Sequence, residues 1–76
     1  MREVQIVLKG IVDVRNFVKE VILVDYEVDL VQGRYVVDAK SVMGIFSLDL
    51  LSPINVQVHA DQCDAFLEKI KDFIVG

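Results

Sequence analysis

Residues 38–50 read Asp-Ala-Lys-Ser-Val-Met-Gly-Ile-Phe-Ser-Leu-Asp-Leu, and this segment decides how the middle of the chain folds. Ser41 precedes a run of mostly apolar residues, where its hydroxyl can accept a hydrogen bond from a free backbone N–H of a first helical turn. We therefore predict a short helix that Ser41 caps, that continues through Ser47 and that ends near Asp49.

The region before this helix has the alternating pattern of two strands. Tyr26, Val28 and Leu30 alternate with acidic residues, and a second β-rich run follows at residues 34–38. Gly33 lies between the two runs and can adopt the positive φ that a tight turn needs. The pattern predicts a β-hairpin.

The N-terminal region changes from a period of two residues to a helical period. Val4, Ile6 and Leu8 lie at alternate positions, which indicates a strand with one buried face. The following apolar residues have the spacing of one helical face, and we predict a first helix with Asp13 as its cap. These apolar residues are Val14, Phe17, Val18 and Val21.

The C-terminal region contains a further strand and a final helix. Residues 54–59, which follow Pro53, alternate aliphatic with polar side chains, as in a sheet with one solvated face. Asp61 is predicted to cap the final helix, and Asp64 in its first turn is favourable for the helix dipole. The predicted apolar stripe of this helix consists of Phe66, Leu67, Ile70, Phe73 and Ile74.

The predicted elements follow the order βαββαβα along the chain. Because the alternating strands leave one face of the sheet polar, all three helices must cover the other face. We predict an α+β fold with a single domain over residues 1–76. Its architecture is an open-faced β-sandwich, in which a four-stranded antiparallel sheet carries three helices on one face.

Composition and charge restrict the classes of function. Hydrophobic residues make up 54% of the chain and charged residues 26%, which indicates a folded globular domain. The longest apolar run, at residues 21–24, is far shorter than the ~20 residues of a membrane span, so we expect a soluble, cytoplasmic protein without membrane contact. The net charge of −4 argues against a nucleic-acid partner. The single cysteine, Cys63, agrees with a reducing compartment.

The segment at residues 38–50 resembles the phosphocarrier protein HPr family, whose Gram-positive members read close to A-K-S-I-M-G-V-M-S-L there. Val42 and Ile45 are apolar equivalents, and residues 17–20 also resemble the first helix of HPr. Together with the element order, the resemblance covers the whole chain and implies a bacterial protein related to the sugar phosphotransferase system. The residues that match the pattern are Ala39, Lys40, Ser41, Met43, Gly44, Ser47 and Leu48.

The resemblance fails where the family carries its phosphoryl group on a histidine, in a pattern like N-G-L-H-x-R-P-A. Residues 9–16 here read Lys-Gly-Ile-Val-Asp-Val-Arg-Asn and contain no histidine. Ile11 and Val12 cannot accept a phosphoryl group, and Asp13 repels an incoming phosphate. The resemblance therefore implies a degenerate active loop. Arg15 in this loop is either a displaced form of the family arginine or a solvent-facing residue of the first helical turn, and we favour the solvent-facing residue. This loop comprises Gly10, Ile11, Val12, Asp13 and Arg15.

Two interpretations of Ser41 remain open. The resemblance implies phosphorylation by an HPr kinase, after which the phosphoprotein binds a transcriptional regulator, and a phosphate at a helix N-terminus meets free N–H donors. Alternatively, Ser41 is only a helix cap. The resemblance also implies a partner-binding surface around Ser41. Alternatively, Met43 and Phe46 are simply partly buried residues of the short helix. This surface comprises Lys40, Met43, Ile45, Phe46, Ser47 and Leu48.

The remaining reactive side chains do not form a recognisable chemical site. His59 is the only histidine, and we expect an exposed strand residue far from the degenerate loop rather than a phosphoacceptor or a metal ligand. Cys63 is expected in the first turn of the final helix, without an adjacent base. Because no nucleophile–base pair, phosphate loop or metal cluster is present in the sequence, we predict no enzyme activity, no metal and no cofactor.

The preferred functional hypothesis is a non-catalytic, HPr-like regulatory or binding protein that is unable to act as an ordinary histidine phosphocarrier. Its support is the combination of a retained serine segment with a degenerate active loop. The alternative is a working phosphocarrier that uses a non-standard phosphoacceptor such as His59 or Asp13. A small enzyme of another type and a divergent relic are the remaining hypotheses. We expect protein partners, and the oligomeric state stays open.

Overall fold

The computed structural model describes residues 1–75 and contains one five-stranded antiparallel sheet. Its strands are β1 (Arg2–Ile6), β2 (Val28–Gln32), β3 (Tyr35–Asp38), β4 (Ile54–Val58) and β5 (Ile74–Val75), in the spatial order β3-β2-β4-β1-β5. The helices are α1 (Ile11–Val21), α2 (Val42–Phe46) and α3 (Asp64–Lys69), and a 3₁₀ turn (Lys71–Phe73) follows α3. The predicted α+β open-faced sandwich is confirmed, with one strand more than predicted.

The two faces of the sheet differ in polarity because apolar and polar residues alternate along its strands. Val56 at the middle of β4 is fully buried and lies opposite Val4 on β1 and Leu30 on β2. Asn55 and Gln57 lie between the buried positions of β4 and face the open side. The apolar side and the helices enclose one core, which includes Ile6, Leu8, Val14, Phe17, Val21, Val28, Leu30, Ile45, Ile54, Val56, Val58 and Ile70.

The first helix begins earlier than predicted. Gly10 precedes the helix with φ of +152°, and α1 starts at Ile11. Asp13 therefore lies inside the first turn, where its carboxylate accepts the backbone N–H of Lys9 at 2.9 Å. The predicted cap at Asp13 is wrong because the backbone freedom of Gly10 lets the chain enter the helix sooner.

The hairpin and the cap of the second helix are confirmed. Gly33 adopts φ of +61° in the turn that places Gln32 opposite Tyr35. The Ser41 hydroxyl accepts the backbone N–H of Gly44 at 3.0 Å and so caps α2. Both elements follow from local residue chemistry, which explains why the sequence indicates them.

The second helix is shorter than predicted. It ends at Phe46, and Ser47 donates both its backbone N–H and its hydroxyl to the carbonyl of Gly44. Asp49 lies beyond the helix, where two hydrogen bonds join it to the side-chain amide of Gln32. The Asp49 N–H donates to Gln32 Oε1 at 2.7 Å, and the Asp49 carbonyl accepts from Gln32 Nε2 at 2.8 Å. A long-range contact, which the local pattern does not contain, therefore fixes the end of α2.

The final helix also begins later and ends earlier than predicted. Cys63 occupies the position before the first turn of α3, so the predicted cap at Asp61 is wrong. The helix stops at Lys69, and Ile74, predicted as part of its apolar stripe, lies in β5 opposite Ile6. The free edge of β1 pairs with this β-branched residue, and such residues favour strands over helices.

The packing of Phe73 completes this region. Its ring meets that of Phe17 edge to face with 6.0 Å between the ring centroids. The backbone carbonyl of Phe73 accepts the N–H of Val7 at 2.9 Å, next to the β1–β5 pairing.

Within residues 1–75, no helix reaches the length and hydropathy of a membrane-spanning segment.

Candidate functional site

The first turn of α1 presents hydrocarbon side chains to solvent. Ile11 and Val12 are exposed, Val12 by 65%. Asp13 is the acidic residue of this turn, and the N–H of Lys9 already occupies one of its carboxylate oxygens. A phosphoacceptor needs a nucleophilic nitrogen or oxygen, which neither Ile11 nor Val12 supplies. This turn therefore offers a carboxylate that is bound to the backbone, and no imidazole.

We expect replacement of Asp13 by alanine to lower the free energy of unfolding by about 1 kcal/mol. The change removes the acceptor for the Lys9 N–H and a negative charge near the helix N-terminus. Urea denaturation followed by circular dichroism measures the loss. Asn16→Ala, at an exposed position of the same helix, serves as the control and is expected to change little. An equal loss in both variants would show that the Lys9–Asp13 bond has no special role.

The side chains of α2 divide between the surface and the core. Met43 is 84% exposed and Phe46 is 42% exposed, whereas Ile45 and Leu48 are buried. Ile45 and Leu48 are predicted to bind a partner, but both belong to the buried core and are not accessible at the surface. Lys40 and Ser47, the other two predicted members, are exposed.

Ser41 is half-buried at the start of α2. Its hydroxyl lies 3.0 Å from the Gly44 N–H, and its own N–H donates to the Asp38 carbonyl at 2.9 Å. A methyl group at Gly44 would lie 3.1 Å from the Ser41 hydroxyl oxygen and 3.2 Å from Val37. Glycine at this position therefore lets the cap, the helix and β3 approach one another closely. Sequence reasoning noted Gly44 only as part of the family pattern.

The loop after α2 adjoins the loop before α1. An open cavity of about 280 Å³ lies between them, and Lys9, Gly10, Leu50 and Leu51 are among its lining residues. Leu51 is 96% exposed. Sequence reasoning missed Leu50 and Leu51, whose only signal was a pair of leucines in a polar turn.

We define the α1–α2 surface as the exposed apolar side chains on α1, on α2 and on the loop that follows α2. The two helices pack against each other, and the cavity connects the loops at their ends. Arg15 on α1, Lys9 just before α1 and Lys40 just before α2 are exposed and form no ion pair within residues 1–75. The α1–α2 surface comprises Ile11, Val12, Val42, Met43, Phe46 and Leu51.

His59 lies away from this surface. It follows Val58, which pairs with Arg2 at the opposite end of β1 from α1. Its Nε2 atom lies 2.9 Å from a carboxylate oxygen of Asp29. No group of three or more potential metal ligands occurs within residues 1–75, so the structure gives His59 no additional partners for a metal site.

Cys63 is buried and belongs to the core rather than to a reactive site. Burial raises the pKa of the neighbouring Tyr26, and the nearby Cys63 and Asp25 raise it further. A hydrogen bond from Lys71 lowers the pKa of Glu68 on the exposed side of the C-terminal segment. None of these groups belongs to the α1–α2 surface.

Comparison with known proteins gives a consistent result at the level of structure. No protein-family model matches the sequence, and no curated protein matches it. Among solved structures, HPr-C-His from Thermoanaerobacter tengcongensis superposes with a TM-score of 0.77 and 22% identity over 95% of this chain and 89% of that one. A phosphocarrier protein HPr from Bacillus anthracis superposes with a TM-score of 0.71 and 25% identity over 97% of this chain and 94% of that one.

A third similar structure is Crh, the catabolite repression containing protein of Bacillus subtilis. It superposes with a TM-score of 0.62 and 22% identity over 83% of this chain and 79% of that one, and it is described as a dimer with a swapped domain. At these identities the likeness lies in the fold, and two of the three structures span nearly the whole of this chain. Because all three structures superpose with TM-scores above 0.6 and the first two cover nearly the whole chain, the chain has an HPr-like fold.

Proposed function

We propose that this chain is a non-catalytic regulatory or binding protein of the bacterial cytoplasm, related to the phosphotransferase system, that does not carry phosphate on histidine. The observation that carries the proposal is the first turn of α1, where Ile11 and Val12 are exposed and no imidazole is present. His59 lies beyond the opposite end of β1 from this turn. Without an imidazole at the start of α1, the ordinary histidine phosphocarrier step has no acceptor.

The α1–α2 surface is the proposed docking site for protein partners. Met43 and Leu51 are almost fully exposed, although burial of such side chains is favourable by about 1.5–3 kcal/mol each. Contiguous exposed apolar side chains on a small domain usually mark a contact with another protein. The exposed cations Lys9 before α1, Arg15 on α1 and Lys40 before α2 favour a partner with acidic residues around an apolar centre.

Phosphorylation of Ser41 is the proposed regulation of this surface. The Ser41 hydroxyl already lies at hydrogen-bonding distance from the Gly44 N–H, so phosphate oxygens there meet backbone donors and the positive end of α2. Met43 and Phe46 follow on the same helix, and a charge of about −2 at its start changes the surface that they present. An HPr kinase and a transcriptional regulator are the proposed partners.

Intact-mass analysis tests the proposal directly. The purified protein is incubated separately with the phosphoenolpyruvate-dependent enzyme of the phosphotransferase system and with an HPr kinase plus ATP. We expect no mass change with the first enzyme and the addition of one phosphate with the kinase. Ser41→Ala is expected to abolish the kinase product, whereas Ser47→Ala, at an exposed serine of the same segment, is expected to leave it intact.

Other outcomes contradict specific parts of the proposal. Acid-labile phosphate from the phosphoenolpyruvate-dependent enzyme would restore a phosphocarrier, and His59→Ala and Asp13→Asn would then identify the acceptor. A kinase product that persists in Ser41→Ala would place the modification elsewhere. No product with the kinase would remove the regulation by phosphate and leave partner binding to be tested separately.

A further inference from the structure

The cavity between the loop before α1 and the loop after α2 has walls that hydrogen bonds hold in place. On the α1 side, the Val7 N–H donates to the Phe73 carbonyl and the Lys9 N–H donates to the Asp13 carboxylate, each at 2.9 Å. Gly10 follows with φ of +152°, and a Cβ atom there would meet no atom beyond its chain neighbours within 4 Å. This wall is therefore fixed and leaves open space beside Gly10.

The wall on the α2 side is held by Gln32, which lies at the end of β2 and is distant in sequence. Its side-chain amide accepts the Asp49 N–H at 2.7 Å and donates to the Asp49 carbonyl at 2.8 Å. The Asp49 carboxylate in turn accepts the Leu51 N–H and the Ser52 hydroxyl, each at 3.0 Å. Residues 49–52 therefore form a turn of defined shape, although Leu51 in this turn is 96% exposed.

The size and the lining of the cavity suit one apolar side chain of another protein. Its volume is about 280 Å³, and it is open to solvent. Small-molecule sites usually occupy about 300–1,000 Å³ and enclose most of their ligand. Leu8 in the lining is fully buried and Leu50 packs against the core, so an apolar side chain in the cavity would extend the core outward.

The charge of the lining selects what surrounds that side chain. Within residues 1–75, Lys9 is the one charged residue of the lining, and it is exposed and forms no ion pair there. The carboxylates of Asp13 and Asp49 accept hydrogen bonds from the chain itself. A carboxylate next to the incoming side chain would therefore find Lys9 available. The other lining residues are Val7, Leu8, Gly10, Leu50 and Leu51.

We propose that this cavity is an anchor site for a protein partner. An apolar side chain such as leucine enters between Gly10 and Leu51, and an adjacent carboxylate of the partner pairs with Lys9. The proposal rests on the proposed function, because it specifies how a partner engages one end of the α1–α2 surface. Gln32 is a positioning residue, since it holds the turn beside the cavity in its binding shape and so reduces the entropy lost on binding.

Titration of the ¹⁵N-labelled protein with capped pentapeptides, followed by NMR, tests the site. For the peptide Glu-Glu-Leu-Glu-Glu we expect a dissociation constant on the order of 1 mM, with amide shifts centred on Gly10, Leu50 and Leu51. The peptide Glu-Glu-Ser-Glu-Glu is expected to bind at least about tenfold more weakly, because it lacks the apolar anchor. The peptide Lys-Lys-Leu-Lys-Lys is also expected to bind more weakly, because it places like charges at Lys9.

Two substitutions test the separate parts of the site, each with a matched control. Lys9→Gln is expected to weaken binding of the acidic leucine peptide about threefold, whereas Lys19→Gln in the last turn of α1 leaves it unchanged. Gln32→Leu is expected to weaken binding about threefold and to speed amide exchange at Asp49. Gln57→Leu, on the open face of β4, is expected to change neither.

Several outcomes overturn the proposal. The absence of shifts at ~10 mM of the acidic leucine peptide excludes the anchor site. Equal binding of the serine peptide, or shifts centred away from the cavity, shows attraction by charge or another site. Equal binding by Lys9→Gln and the wild type excludes the carboxylate pair. The kinase experiment on Ser41 is independent, so its failure contradicts the regulation of the surface, whereas failure of the peptide titration contradicts the anchor cavity.

Discussion

Replacing Phe17 with alanine is expected to lower the free energy of unfolding by about 3–5 kcal/mol. Phe17 is fully buried in α1. Its ring meets Phe73 edge to face, so it joins the first helix to the C-terminal segment. The substitution leaves a cavity that the surrounding side chains of a small core cannot fill.

The loss is large relative to the total stability of the domain. A chain of 76 residues has roughly 4–11 kcal/mol of unfolding free energy at typical values per residue. We therefore expect Phe17→Ala to be partly unfolded at 37 °C, with a strongly lowered midpoint in urea. Asn16→Ala is the matched control, because it truncates the exposed neighbour in the same helix. A loss below about 1 kcal/mol in Phe17→Ala would contradict the role of this contact.

The second large effect is expected for Gly44→Val, which should lower the unfolding free energy by about 2–4 kcal/mol. The first carbon of the new side chain already lies 3.1 Å from the Ser41 hydroxyl and 3.2 Å from Val37. Two further methyl groups force α2 away from β3 or displace Ser41. The variant therefore loses the cap of α2 as well as the close packing beneath it.

Met43→Val separates this steric effect from the helix propensity of valine. It introduces the same residue one position earlier, where the side chain is 84% exposed, and is expected to cost less than about 0.5 kcal/mol. Urea denaturation of both variants measures the difference. Gly44→Val is also expected to slow kinase modification of Ser41, because the hydroxyl no longer has a fixed position. Equal stability of the two variants would contradict a steric requirement for glycine.

Local chemistry in the sequence determined the elements that depend on a few neighbouring residues. The hairpin at Gly33 and the cap at Ser41 both follow from one residue and its immediate surroundings. The alternation in residues 54–59 likewise indicated the strand that became β4, because burial on one face imposes a period of two. The sequence alone also shows that no histidine lies between Lys9 and Asn16.

Tertiary structure alone decided how the ends of the chain pair and which apolar side chains remain outside. The sequence pattern of Phe73 and Ile74 fits a helix, but the free edge of β1 provides hydrogen bonds that convert Ile74 to a strand residue. Ile45 and Met43 are both apolar residues of α2, yet packing in the core buries Ile45 and leaves Met43 exposed. Leu51 joins this exposed surface only because distant loops meet. Long-range pairing and burial depend on the whole fold, whereas caps and turns depend on their own neighbours.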